Sequence, residues 1–225
     1  RYLLIKHLPM VHNLSDRDSL IKVFMNELRN IHVQKDAMRF RKNLERIGQI
    51  IGYEISKSLA YKSVDIETPL GTSFSTELAV QPVLATILRA GLPLHQGILD
   101  MFDSAENAFI SAYRKHHASG EFEIRLEYIS CPDLNNKVLI ICDPMLATGA
   151  SILKTILTLR EFGQPAHIHI VAAIASMEGI DYLERNLDNY TVWVGAIDEE
   201  LTAKGYIVPG LGDAGDLAYG KKIQS

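Results

Sequence analysis

Residues 138–155 read Val-Leu-Ile-Ile-Cys-Asp-Pro-Met-Leu-Ala-Thr-Gly-Ala-Ser-Ile-Leu-Lys-Thr, and the fold is decided here. The unbroken apolar run from Val138 to Cys142 predicts a strand buried on both faces. Asp143-Pro144 ends it, because proline lacks a backbone donor and does not continue a central strand. A short turn then carries Thr148, Gly149, Ala150 and Ser151. Beyond it, Ile152, Ile156, Leu157 and Leu159 recur at helical spacing up to Gly163, which reads as the C-cap. The order is strand, small-residue loop, helix.

A helix N-terminus offers unpaired N–H groups and a partial positive charge, which together hold an anion such as a phosphate. Thr148 and Ser151 add hydroxyl donors, and Gly149 admits a close approach of the backbone. Asp143, at the carboxyl end of the strand, falls beside that phosphate, where a carboxylate suits sugar hydroxyls or a hydrated magnesium ion. A ligand with a terminal phosphate, a sugar diol and a magnesium-bound diphosphate uses all of these groups. Phosphoribosyl diphosphate is such a ligand.

The segment Asp143-Pro144-Met145-Leu146-Ala147-Thr148-Gly149-Ala150-Ser151 resembles the phosphoribosyl-diphosphate loop of type I phosphoribosyltransferases, in the form found in the uracil phosphoribosyltransferase family. Ile87-Leu-Arg-Ala-Gly91 and Gly205-Tyr-Ile-Val-Pro-Gly-Leu-Gly-Asp-Ala-Gly-Asp216 agree with that family, in the same order. The resemblance implies that a uracil ring nitrogen attacks the anomeric carbon of phosphoribosyl diphosphate, giving uridine monophosphate (UMP) and diphosphate. It places residues 143–151 around the ribose 5-phosphate, with Asp143 facing the ribose hydroxyls. It places Arg89 and Arg114 on the diphosphate, with magnesium held mainly by the substrate and water. Ile207, Gly212 and Ala214 are implied at uracil, and Asp213 between the base and phosphoribosyl diphosphate. The chain departs from the family in Ala150, where glycine is usual, and in Thr86, where proline is usual. Leu217 replaces a basic residue, and His116-His117 stand where acidic residues are frequent.

At 225 residues the chain suits one α/β domain with a sizeable core. Its composition, 47% apolar and 22% charged, is that of an ordinary globular protein. A net charge of −4 argues against a general nucleic-acid surface. Cys131 and Cys142 do not make a disulfide framework, and Cys142 in the core strand reads as a buried reduced thiol. No apolar run is long enough for a bilayer and no signal peptide is visible, so no membrane association is expected and the cytoplasm is the expected compartment.

Along the chain, residues 1–14 read as extended and partly exposed. Ser15 and Asp18 read as a capping box for a helix with Leu20, Ile21, Phe24, Leu28 and Ile31 on one face. A second helix is marked by Ala37, Phe40, Leu44, Ile47, Ile51, Ile55 and Leu59. Spacing alone leaves open whether these stripes meet a core or a second subunit. Residues 62–81 alternate Val64, Ile66 and Phe74 with polar residues around Pro69-Leu-Gly71, the pattern of a hairpin. In the resembling family a comparable β-arm embraces a second subunit, which implies a homodimer or a higher homo-oligomer. Some members also respond to guanosine triphosphate (GTP), which makes that nucleotide a candidate effector.

Val83 to Leu88 is an apolar strand ending at Arg89-Ala-Gly91, followed by a helix with Leu92, Leu94, Ile98, Leu99 and Phe102. Ala108 to Tyr113 reads as a strand closing at Arg114-Lys115. Glu123 to Ile129, with Ile124, Leu126 and Tyr128 alternating, reads as a strand with one polar face, and Asn135-Asn136 as a turn. Ile168 to Ala175 and Thr191 to Ile197 are further strands, separated by a helix that Ser176 caps. This alternation predicts an α/β fold, a mainly parallel twisted sheet with helices on both faces. The expected layout of the single domain is an N-terminal helical part (1–61), a β-arm (62–81), an α/β core (82–200) and a C-terminal hood over the base (201–225). Ligands of such sheets lie at the carboxyl ends of strands, where Arg89, Arg114 and Asp143 fall.

Other motifs carry less. Gly210-Leu-Gly212-Asp-Ala-Gly215 satisfies G-x-G-x-x-G, but ten residues cannot supply the following helix and return strand of a dinucleotide site. His167 and His169 share one face, yet without matching ligand spacing they read as exposed strand residues, and His116-His117 as a solvated turn. There is no G-x-x-x-x-G-K-[ST] loop and no G-x-S-x-G elbow. Two other functions fit the same fold: an RNA-binding regulator, which the acidic net charge opposes, and a catalytically weak homologue that binds uracil nucleotides.

Overall fold

The structure, a computed structural model, describes residues 10–116 and 122–222. Its strands are β1 (Met10–Asn13), β2 (Tyr61–Thr68), β3 (Gly71–Leu78), β4 (Val83–Leu88), β5 (Glu106–His116), β6 (Phe122–Ser130), β7 (Val138–Cys142), β8 (Met145–Leu146), β9 (His167–Ser176), β10 (Tyr190–Asp198), β11 (Glu200–Leu201) and β12 (Ile207–Val208). The helices are α1 (Leu20–Arg29), α2 (Ala37–Ser56), α3 (Leu92–Leu99), α4 (Ala150–Leu159), α5 (Met177–Asn186) and α6 (Ala214–Tyr219). The main sheet has the order β1-β10-β9-β7-β4-β5-β6, with β8 beside β9. Every pairing in it is parallel except that of β5 with β6.

Strand β7 is covered on both sides, as its apolar run requires. Ile140 and Cys142 join one core with Leu28, Leu44, Ile51 and Ile98 from α1, α2 and α3. Leu139 and Ile141, pointing the other way, join a second core with Ile152, Ile156 and Leu183 from α4 and α5. Phe40, Leu44, Ile47, Ile51 and Ile55 of α2 are all buried, each contributing roughly 1.5–3 kcal/mol of gross hydrophobic stabilisation. Helices α2 and α3 cross closely because a side chain is missing from each. A Cβ on Gly48 would lie 2.2 Å from Leu94 O, and one on Gly97 would lie 1.9 Å from Glu45 O.

Several expectations are corrected. Residues 10–13 are extended as expected and, beyond that, form an edge strand parallel to β10, while residues 1–9 lie outside the described residues. Ser15 and Asp18 make no capping box. Ser15 Oγ donates to Gly195 O, Asp18 pairs with Lys22, and the N-cap of α1 is Ser19. Leu20 and Ile31 are exposed: the buried face of α1 is Ile21, Met25 and Leu28, and Ile31 lies beyond the helix. Leu157 is exposed, and Gly163 (φ +132) closes a 3-10 turn, Arg160–Phe162, that follows α4. Strand β5 runs on to His116, so Arg114 and Lys115 lie within it, paired with Ile124 and Glu123 of β6, and His116 is a strand residue rather than a turn. His117 lies outside the described residues.

In β6 a register shift at Ser111/Ala112 breaks the alternation, so that Leu126 and Ile129 pack on the core while Tyr128 is exposed. His169 is buried, accepting a hydrogen bond from Trp193 Nε1 at 3.0 Å, and His167 contacts Asn189 and Thr191. Burial first, then the neighbouring His167 and His12, push the pKa of His169 down to about 3. No group of three or more His, Cys, Asp or Glu suited to a metal occurs among the described residues. No helix among them is long and apolar enough to cross a membrane.

Candidate active site

On one side of the β4–β7 pair the sheet continues through β5 and β6, and on the other through β9 and β10. The chain thus reverses its direction of winding between β4 and β7, where an open α/β sheet leaves a crevice at the carboxyl ends of its strands. Arg89–Gly91 follows β4, and Asp143 follows β7. The two turns touch. A Cβ on Gly91 would lie 2.8 Å from Cys142 O and 2.3 Å from Thr86 Oγ1, so glycine lets the arginine turn lean on β7. The Leu88–Arg89 peptide is cis. Thr86 is wholly buried, and its hydroxyl has no hydrogen-bond partner among the described residues.

Loop 143–151 is laced to its neighbours by backbone bonds. Asp143 N–H donates to Val171 O (3.0 Å), and Pro144 O accepts from the N–H groups of Ala173 and Ile174. Met145 and Leu146 pair with Ile174 and Ala175 of β9. Ser176 Oγ donates to Ala147 O at 2.6 Å and accepts from Gly179 N–H at 2.9 Å, so one hydroxyl caps α5 and pins the loop. Gly149 has φ +77, and a Cβ there would lie 2.9 Å from Gly179 O. Left-handed backbone and close packing both select glycine. Helix α4 starts at the next residue, so the half-buried Ala150 methyl is accommodated in its first turn. Asp143, Met145, Ala147, Thr148, Gly149 and Ser151 line an open concavity at that helix start. Asp143 Oδ1 accepts from Met145 N–H (3.3 Å) and Thr148 Oγ1 from Ala150 N–H (3.4 Å).

The C-terminal segment forms a second wall, beside the Arg89 turn. Ile207 and Ala214 are buried, while Gly212 is exposed at φ +93 and Asp213 is half-buried. Side chains of Ile207 and Ala214 therefore belong to the core. Asp213 Oδ1 caps α6 by accepting from Asp216 N–H at 2.9 Å. Arg89, half-exposed, reaches this wall, with Nη2 3.3 Å from Gly220 O and 3.5 Å from Asp216 Oδ1. The structure thus brings Arg89, Asp213 and Ala214 to one wall, and Asp143 and the Thr148–Ser151 turn to the other. Arg114 lies in β5 three residues past Ser111, which is level with Leu88, and so beyond the carboxyl edge of β4.

What sequence reasoning missed is the frame that holds the wall. Arg29 of α1 donates to both carboxylate oxygens of Asp198 (2.7 and 2.8 Å) and to Gly210 O (3.1 Å). Asp198 Oδ2 also accepts from Gly210 N–H (2.8 Å), and Gln34 Nε2 donates to Leu211 O (3.0 Å). Burial pushes the Asp198 carboxyl up, but the bonds from Arg29 and Gly210 outweigh it and hold the pKa below the usual carboxylate range. An acid at the end of an apolar run is a signal in the sequence, as it is at Asp143.

A family profile described as uracil phosphoribosyltransferase matches residues 15–221. A uracil phosphoribosyltransferase of Porphyromonas gingivalis is 49% identical over 214 residues, covering 95% of this chain and 99% of that one. One from Methanothermobacter thermautotrophicus is 40% identical, covering 83% and 86%. A solved structure of an Aquifex aeolicus protein superposes with a TM-score of 0.84 at 31% identity, covering 96% of this chain and all of that one. The match runs from α1 through α6 and so takes in both walls of the crevice and the Arg29–Asp198 frame behind them: the chain belongs to the uracil phosphoribosyltransferase family.

Proposed function

We propose that this chain transfers the 5-phosphoribosyl group from phosphoribosyl diphosphate to uracil, forming UMP and diphosphate in pyrimidine salvage. One observation carries the proposal. The concavity at the start of α4 lies at the switch point of the sheet, and the neighbouring turn carries Arg89, which contacts α6.

In this reading the hydroxyls of Thr148 and Ser151 and the N–H groups at the start of α4 hold the 5-phosphate. Asp143 faces the ribose hydroxyls. Uracil presents acceptor, donor and acceptor along O2, N3–H and O4, and the backbone at Ile207 and Gly212–Ala214 supplies the complement. The anomeric carbon–oxygen bond to diphosphate breaks as the bond to the uracil nitrogen forms, and that nitrogen loses its proton. Positive charge grows on the ribose and negative charge on the departing oxygen, so Arg89 and Arg114 stabilise the transition state more than the ground state. Asp213, beside both ligands, orients the base.

Magnesium carried on substrate oxygens and water would have Asp143 and Asp213 to hold its waters, and it would neutralise diphosphate charge. The test is to mix the protein with phosphoribosyl diphosphate, uracil and magnesium. UMP and diphosphate in equal amounts are expected. RNA binding without turnover would contradict the proposal and favour a regulator.

The proposal includes a homodimer. Strands β2 and β3 form a sheet of their own, with Leu70 fully exposed and Phe74 82% exposed at and near its tip. A lone hairpin is marginal in water, and large exposed apolar side chains mark a partner surface. Sedimentation should give a dimer or larger assembly, and Phe74→Ser should shift it toward monomer. GTP as an effector belongs to the same reading and is tested by adding it to the turnover assay.

A further inference from the structure

Helix α6 is organised by two carboxylates with different partners. Asp213 Oδ1 takes the N–H of Asp216, and Asp216 Oδ1 faces Arg89 Nη2 at 3.5 Å. That Asp216 oxygen is shut off from solvent and receives no hydrogen bond among the described residues. The guanidinium is therefore the group that faces this oxygen, while the rest of the partly exposed carboxylate meets solvent. Gly215 leaves room for the contact. A Cβ there would lie 3.2 Å from Asp213 Oδ1, 3.7 Å from Arg89 Nη2 and 3.9 Å from the Ala90 side chain. Turn 213–216 is thus packed directly on the Arg89–Ala90 turn, and Gly220 O draws Nη2 to the same side.

We propose that Asp216 is a positioning residue that couples the two substrate sites through Arg89. A guanidinium has five N–H donors in a rigid fork, so it can be held by α6 through Nη2 and still present its other donors to a diphosphate. Diphosphate then fixes the arginine, and Asp216 passes that constraint to the Gly212–Ala214 backbone that meets the base. This rests on the assignment of Arg89 to diphosphate and of residues 212–214 to uracil made above.

Such a tie makes the two affinities interdependent by the same factor in both directions. Magnesium diphosphate and uracil do not react together, so the coupling is measurable at equilibrium. Calorimetry on the full chain should show saturating magnesium diphosphate tightening uracil by about fivefold or more. In Asp216→Asn, which keeps the shape and removes the charge, the ratio should fall to roughly one. Asp216→Glu, which keeps the charge, should restore part of it. A purely structural role would weaken both ligands and leave their ratio alone. Wild-type coupling persisting in Asp216→Asn, or no coupling in the wild type, overturns the proposal. Unchanged magnesium diphosphate affinity in Arg89→Ala would instead overturn the assignment of Arg89, a separate failure.

Discussion

Replacing Arg29 with methionine removes the cation that holds Asp198 and Gly210, behind the wall proposed to bind the base. The Asp198 carboxylate accepts three charge-assisted hydrogen bonds, two from Arg29 and one from Gly210 N–H, at 2.7–2.8 Å. The side chains are 24% and 7% exposed, so solvent screens the pair little. Breaking a buried ion pair from one side typically costs about 3–5 kcal/mol, because the remaining charge stays buried. For a chain of this size each kcal/mol lowers the melting temperature by roughly 2–4 °C, so a fall of about 6 °C or more is expected. Gly210 O also loses its donor, which loosens the segment beside it, so the uracil KM should rise while affinity for phosphoribosyl diphosphate holds.

The acid limb of stability should move as well. The folded Asp198 pKa lies below its unfolded value, so its contribution is full above the ordinary carboxylate range. It is lost as pH falls through the folded value. Without Arg29 burial dominates, and the loss should begin at higher pH. Differential scanning calorimetry across pH and steady-state kinetics read these effects. Wild-type melting together with a wild-type uracil KM would refute the reasoning.

Thr148→Val and Ser151→Ala should each weaken phosphoribosyl diphosphate binding at least about tenfold, since a charge-assisted hydrogen bond is worth about 1.5–3 kcal/mol. Calorimetry checks this, and unchanged affinity in both would remove the loop from the site. Arg89→Ala and Arg114→Ala should lower turnover at saturating substrate by about a hundredfold, as for other preorganised sites of growing negative charge. Full turnover in Arg89→Ala would show that the diphosphate lies elsewhere.

The parts legible in the sequence are those whose physics is local. Val138 to Cys142 is too short for a helix and is stopped by Pro144, which favours a buried strand, and Thr148-Gly-Ala-Ser after it has little apolar surface to bury. The five α2 residues at three-and-four spacing that prove buried identify their own face. What escaped depends on partners distant in sequence. Ser15 was read as a cap because nothing nearby announces Gly195 O, 180 residues on. His169 was read as exposed because its partner, Trp193, belongs to the next strand of the sheet. Arg29 carries no local signal at all, because only the fold brings Asp198 to it. The slip in β6 came from a bulge, which shifts register without leaving a mark in the apolar pattern. The Asp216–Arg89 contact joins two motifs that the sequence did single out, but whose proximity only the fold supplies.

Base choice follows from hydrogen-bond pattern alone and is the most direct test. Cytosine carries an acceptor at N3 and a donor at its amino group, the reverse of uracil at both positions. Backbone groups at Ile207 and Gly212–Ala214 cannot exchange donor for acceptor, as a side-chain amide can by rotating. Cytosine would therefore set like groups against like in a buried site, and a site built to hydrogen-bond its substrate rejects such an analogue by roughly 10⁴-fold. The decisive measurement is the ratio of kcat/KM for uracil and cytosine with saturating phosphoribosyl diphosphate. A ratio of about 10⁴, with activity kept on uracils altered only at C5, is the predicted result. Comparable values for the two bases would contradict backbone readout of uracil.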